Sequence, residues 1–179
     1  MAKRPVRLRV PPGLEDLAAA ELVELGCDVE VVPGGVLAPR ADLPKVLVGS
    51  RIGSGVTLQL GHVRLDSLPD ALRGMPWQSV LTGGQRVEVV LRGVRGRGIE
   101  GKCEAVIARH AAKRGGGARL PALRVWLIAE DHRAEVAVEA ARDLWKRGWR
   151  TAPGRAPLRE NLAAAVLRAC NWTGSEPLV

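Results

Sequence analysis

Residues 6–38 read VRLRVPPGLEDLAAAELVELGCDVEVVPGGVLA, and the patterning of this stretch decides the fold. Val6, Leu8 and Val10 alternate with Arg7 and Arg9, the period of a half-buried strand. Pro11-Pro12-Gly13 breaks it. Leu14, Leu17, Ala18, Leu22 and Leu25 then recur at helical spacing, with Glu15 and Asp16 in the first turn and Gly26 as the stop. Asp28–Val32 is a second short strand, Pro33-Gly34-Gly35 a turn, and Val36–Ala38 a third strand. The order β-α-β-β with a terminal hairpin is most of a ferredoxin-like unit, which still lacks one helix and one strand.

Outward from that stretch the pattern continues to alternate. Asp42 opens a short helix through Gly49, and Val56–Leu65 (VTLQLGHVRL) is another alternating strand. Leu68–Leu81 is helical in pieces, interrupted at Gly74 and Pro76. Arg86–Leu91 (RVEVVL) is a strand, followed by the glycine-arginine stretch Arg92–Gly101 (RGVRGRGIEG) and a helix over Lys102–Arg114. In that helix Ala105, Val106, Ala108, Ala111 and Ala112 form the apolar side. Gly115-Gly116-Gly117 ends it. Leu123–Ala129 is nearly all apolar, as a strand inside a sheet is, and Ala134–Ala140 alternates again. Pro157–Asn171 (PLRENLAAAVLRACN) is an amphipathic helix. Helices and strands interleave throughout, which makes the fold α+β or α/β.

With 179 residues, 46% of them apolar, the chain buries enough surface to fold without disulfides or metals. Cys27, Cys103 and Cys170 are odd in number and form no CxxC pair, the pattern of reduced thiols in a cytoplasmic protein. His62, His110 and His132 stand singly, without metal-ligand spacing, so no metal site is expected. No apolar run reaches the roughly 20 residues that span a bilayer, and residues 1–9 have no signal-peptide core. The net charge is +8, and all of it falls in the second half. Residues 1–85 hold nine basic and nine acidic side chains, residues 86–179 hold 18 and 10. Such asymmetry points to a polyanion partner, most simply nucleic acid.

No nucleophile elbow, HExxH, Walker A or dinucleotide fingerprint is present. Gly93, Gly96 and Gly98 follow a strand, but at the wrong spacing for either phosphate-binding fingerprint. Cys103 on a helix reads as a small core residue. What stands out is charge. Arg92, Arg95, Arg97, Lys102, Arg109, Lys113, Arg114 and Arg119 fall within 28 residues, against only Glu100 and Glu104. Arginine forks pair with phosphates, glycines let backbone N–H groups approach them, and a helix N-terminus has the right dipole for an anion. With five Trp and no Phe or Tyr, stacking platforms for splayed bases are scarce. Recognition of backbone and shape is the expectation.

The segment Leu144–Arg150 (LWKRGWR), followed by Ala156–Ala165 (APLRENLAAA), closely resembles one family, the THUMP-domain RNA N-methyltransferases that modify guanosine with S-adenosylmethionine. Pro12–Leu17, with Glu21-Leu22 and Leu25-Gly26, is similar to that family's opening helix, and Gly34-Gly35-Val36 to its following hairpin. The resemblance implies a ferredoxin-like domain at 1–42 with 143–152, whose missing strand comes from about 143–151, and a THUMP RNA-binding domain at 43–142. Residues 153–179 would be a linker and the first helix of a methyltransferase domain. It implies structured RNA, rRNA or tRNA, as partner, adds Lys146, Arg147 and Arg150 to the basic residues that meet it, and implies a methyltransferase domain normally on the same chain.

The sequence departs from the family in three places. Trp145 and Trp149 stand where His and Tyr are common, the chain stops at Pro177-Leu178-Val179 where the methyl-donor motif begins, and the catalytic Asn/Asp-Pro-Pro-Tyr tetrapeptide is absent. No catalytic residue and no cofactor are therefore expected within these residues, and the chain alone is expected to be inactive. The alternative is a non-catalytic protein-interaction or scaffold module. The stripe Leu158, Leu162, Ala165, Val166 and Ala169 is expected either to lack a partner surface, leaving the segment poorly protected, or to form a weak dimer contact.

Overall fold

A computed structural model describes residues 5–112, 120–148, 151–152 and 154–175. The chain forms two compact units: residues 1–57 with 140–179, and residues 58–139. The fold class is as the sequence implies, a mixed α/β arrangement of seven strands and five helices among the described residues.

In the first unit, strand β1 (Val6–Arg9), helix α1 (Glu15–Glu24), strands β2 (Glu30–Val32) and β3 (Gly35–Ala38), helix α2 (Leu43–Gly49) and the start of β4 (Gly55–Arg64) follow in sequence. β3 pairs antiparallel with both β1 and β2. The order β2-β3-β1-β4 is that of a complete ferredoxin-like β-α-β-β-α-β unit. The missing helix is α2 and the missing strand is residues 55–57, so the unit closes without a break in the chain. Residues 143–148, where the last strand is expected from the sequence, form turns instead. Alternation predicts Val56–Leu65 as a strand, but only pairing shows that its first residues finish this sheet.

Val6, Leu8, Ala18, Leu22, Val36, Val46, Ile52 and Val56 make the core. One buried carboxylate organises its edge. Glu21 on α1 accepts hydrogen bonds from the Ser50 hydroxyl (3.0 Å) and from the Arg51 and Ile52 amides (2.8 and 3.4 Å) beyond the end of α2. The C-terminal helix α5 (Glu160–Ala169) packs on α1, with Asn161 and Ala165 buried. Asn161 donates to the Ile52 carbonyl at 3.3 Å, and Arg168 pairs with Glu24. Of the stripe Leu158, Leu162, Ala165, Val166 and Ala169, Ala165 is buried, while Leu158 and Val166 remain 52% and 54% exposed. Asn161 anchors the first turn of α5 through its bond to the Ile52 carbonyl.

In the second unit β4 continues through Arg64, followed by α3 (Leu68–Ala71), two 3-10 turns, β5 (Val87–Arg92), α4 (Ile99–Ala112), β6 (Leu123–Glu130) and β7 (Arg133–Arg142). The order is β4-β7-β6-β5, with β5 and β6 parallel across α4 and β6 and β7 an antiparallel hairpin. β6 is interior, which its apolar sequence anticipates. Trp77 is fully buried beside Leu68 and Leu72, its indole donating to the Leu72 carbonyl at 2.6 Å. Among the described residues no helix is long and apolar enough to cross a membrane.

Candidate nucleic-acid interface

The basic stretch occupies the end of β5, the loop after it and the exposed face of α4. Gly93 sits at φ +73°, a conformation that favours glycine, and a β-carbon there would come within a tight 3.2 Å of Ala129 Cβ, where the chain leaves the sheet. Gly98, at φ +69°, delivers the chain into α4, whose Lys102 amide donates to the Gly98 carbonyl at 3.3 Å. α4 buries Cys103, Val106 and Ile107, at i, i+3 and i+4. Ala105 and Ala108, which the sequence suggests as part of the apolar side, are exposed. The larger side chains win the core because they bury more apolar surface.

That orientation leaves Arg92, Arg95, Arg97, Lys102 and Arg109 exposed on one unit. Of the two local acids, Glu104 is turned toward the sheet and accepts from the Val89 amide of β5 at 2.9 Å, which satisfies an edge-strand donor. Its charge is thus withdrawn from the surface. Burial, and secondarily the charge of Glu104, pushes the Cys103 thiol up to about 11, so this cysteine is a core residue and not a nucleophile. Lys113, Arg114 and Arg119 lie outside the described residues.

The basic residues of the C-terminal motif behave differently. Arg147 is half-buried: its Nε donates to the Leu144 carbonyl at 2.6 Å, one Nη to the Ser50 carbonyl at 2.7 Å and the other to the Val48 carbonyl at 3.5 Å. Burial, and after it the charge of Arg51, draws its guanidinium below the ordinary arginine value, with Glu21 and Glu160 acting in the opposite sense. This fork ties the Leu144–Gly148 turn to the end of α2, a role that the residue type alone does not reveal. Lys146 is exposed and stands 4.8 Å from the Trp145 ring centroid, with Arg159 at 5.5 Å. Arg150 lies outside the described residues. Trp145 also flanks a groove of about 280 Å³ against Ala163, Ala164 and Leu167 of α5.

Sequence reasoning missed a second group at the same sheet end of the second unit. Arg64 at the end of β4, Asp66 beyond it, and Asp131, His132 and Arg133 at the β6–β7 turn surround a cleft of about 610 Å³. The two segments are far apart in the chain and carry no motif, so only strand pairing brings them together. No group of three or more His, Cys, Asp or Glu side chains among the described residues is placed to hold a metal ion.

Residues 8–54 match the family model described as the RlmL ferredoxin-like domain. Across nearly the whole chain the fold is that of several solved proteins. SMU.472, a candidate methyltransferase crystallised with SAH, is 23% identical with a TM-score of 0.79, covering 99% of this chain and 52% of its own. TrmN from Thermus thermophilus is 26% identical with a TM-score of 0.68, covering 94% of this chain and 55% of its own. A protein from Listeria monocytogenes described as an N6-adenine-specific DNA methylase is 20% identical with a TM-score of 0.73, covering 94% and 49%. The chain thus spans about half the length of the solved proteins it matches. Residues 8–54 thus match a ferredoxin-like domain of the RlmL kind, and the whole chain shares its fold with about half of each of these solved proteins.

Proposed function

We propose that this chain is the RNA-binding and substrate-positioning region of a THUMP-type methyltransferase that modifies guanosine in rRNA or tRNA with S-adenosylmethionine. In this proposal the methyl transfer is carried by a separate catalytic domain. The first unit is the ferredoxin-like platform and the residues centred on 58–139 are the THUMP part. The protein works in the cytoplasm. One observation carries the reading: five cations between residues 92 and 109, Arg92, Arg95, Arg97, Lys102 and Arg109, are all exposed, while Glu104 among them is bonded to the sheet. Lys146 is a further exposed cation, on the first unit, and Lys113, Arg114, Arg119 and Arg150 belong to the same proposal from sequence. Arg147 supports the turn that presents Lys146.

The chemistry of this surface is phosphate pairing, which positions an RNA without reading its bases. Binding of a structured RNA should weaken steeply with salt, and replacing Arg95, Arg97 and Lys102 together by Gln should lower the log–log slope by about 2–3, close to 0.9 for each phosphate that no longer meets a cation. An unchanged slope would exclude this surface from RNA binding and favour the scaffold reading.

A further inference from the structure

The register of the second unit gathers separate parts of the chain at one end of its sheet. Arg92 of β5 lies opposite Ile128 of β6, and Glu130 of β6 opposite Arg133 of β7. The Leu65 amide, just past β4, donates to the His132 carbonyl at 3.1 Å. The exposed cations of the β5–α4 loop therefore share a sheet end with Arg64, His132 and Arg133, and with the 610 Å³ cleft they line. This cleft differs from the loop in kind. Arg64 is engaged bidentately by Asp66, and the cleft is also lined by Arg133 and His132, which can donate, and by Asp131, which can accept. Asp131 is held at the tip of a two-residue turn at φ +52°, a conformation that Asp tolerates.

A surface of cations alone binds phosphates of any nucleic acid. A carboxylate beside two donors offers something a phosphate does not use, an acceptor for a hydroxyl. RNA carries that hydroxyl next to each phosphate, on the ribose 2′ position, and DNA does not. Resting on the RNA-binding reading, we infer that the strand-end cleft is a ribose-phosphate subsite in which Arg133 and His132 donate to a phosphate and Asp131 accepts a hydrogen bond from the adjacent 2′-hydroxyl. It makes the interface selective for RNA over DNA, at a place separate from the cations that give most of the affinity.

The test compares binding of the full chain to an RNA hairpin and to the same hairpin carrying 2′-O-methyl riboses, which keep the A-form but have no hydroxyl to donate. The wild type should prefer the unmodified RNA about tenfold, the size of one charge-assisted hydrogen bond. Asp131→Gly, which keeps the left-handed backbone accessible, should reduce that preference to near one, and Asp131→Asn, which retains an acceptor, should keep part of it. A carboxylate that only repels phosphate would, on removal, raise both affinities alike and leave the ratio intact. Arg133→Gln should lower the salt slope by about 1. No wild-type preference, or a preference untouched by Asp131→Gly, overturns the subsite, while a slope that still responds to Arg95, Arg97 and Lys102 keeps the RNA reading. Absence of any RNA binding overturns both.

Discussion

The two units of this molecule carry the same net charge but differ in how their basic side chains are engaged. Residues 58–139 hold 13 basic and nine acidic side chains, and the other unit holds 14 and 10, so each has a net charge of +4. In the first unit three cations are bonded within the fold. Arg147 donates to three carbonyls, Lys45 to the Gly26 carbonyl, and Arg168 pairs with Glu24. In the second unit the cations of 92–109 stand exposed, and an acid among them, Glu104, is bonded to the sheet. The contrast teaches that net charge does not locate an interface. Whether a guanidinium has already met its acceptors within the fold does.

The largest effect that would sharpen this contrast is on stability. Replacing Glu21 by Ala removes the acceptor for the Ser50 hydroxyl and for the Arg51 and Ile52 amides, and should cost about 3 kcal/mol in denaturant unfolding. RNA affinity of the folded protein should change less than about twofold, since no phosphate-pairing side chain is altered. A loss of RNA binding at unchanged stability would break the division of roles.

A smaller effect concerns the packing of α1 against α5. The hydrogen bond from Arg168, and then its charge, holds the Glu24 carboxyl below the usual glutamate range. The pair therefore contributes its stabilisation above that usual range and loses it as pH falls through the lowered value. Glu24→Gln should leave stability slightly reduced at neutral pH and equal to wild type in acid, read from midpoints of thermal unfolding across pH. As both partners are solvent-accessible, the difference should be small. Equal midpoints at neutral pH would show that Arg168 finds other partners.

Much of this was legible in the sequence. The β-α-β-β order of 6–38 is written in apolar spacing and in Gly and Pro breaks, which are local signals. The end of the ferredoxin-like unit was not legible, because Val56–Leu65 has the same alternation whether it pairs with β1 or with β7. Pairing partners are a long-range property. The exposed cations of 92–109 followed from composition, but the internal use of Arg147 did not, since three carbonyls from 48, 50 and 144 converge on it only after folding. Arg64, His132 and Arg133 escaped for the same reason. The asymmetry between sequence halves dissolved because residues 140–179, with their own excess of basic side chains, return to the first unit.

The central claim, that placement and not net charge defines the RNA surface, is tested most directly by two charge-matched triple variants. One replaces Arg95, Arg97 and Lys102 with Gln; the other replaces Lys45, Arg147 and Arg168, each bonded within the first unit. Both remove three positive charges. The salt dependence of RNA binding should fall by about 2–3 in the log–log slope for the first variant and by less than about 1 for the second, measured on folded protein. Equal losses of slope, or a greater loss for the second variant, would contradict the account.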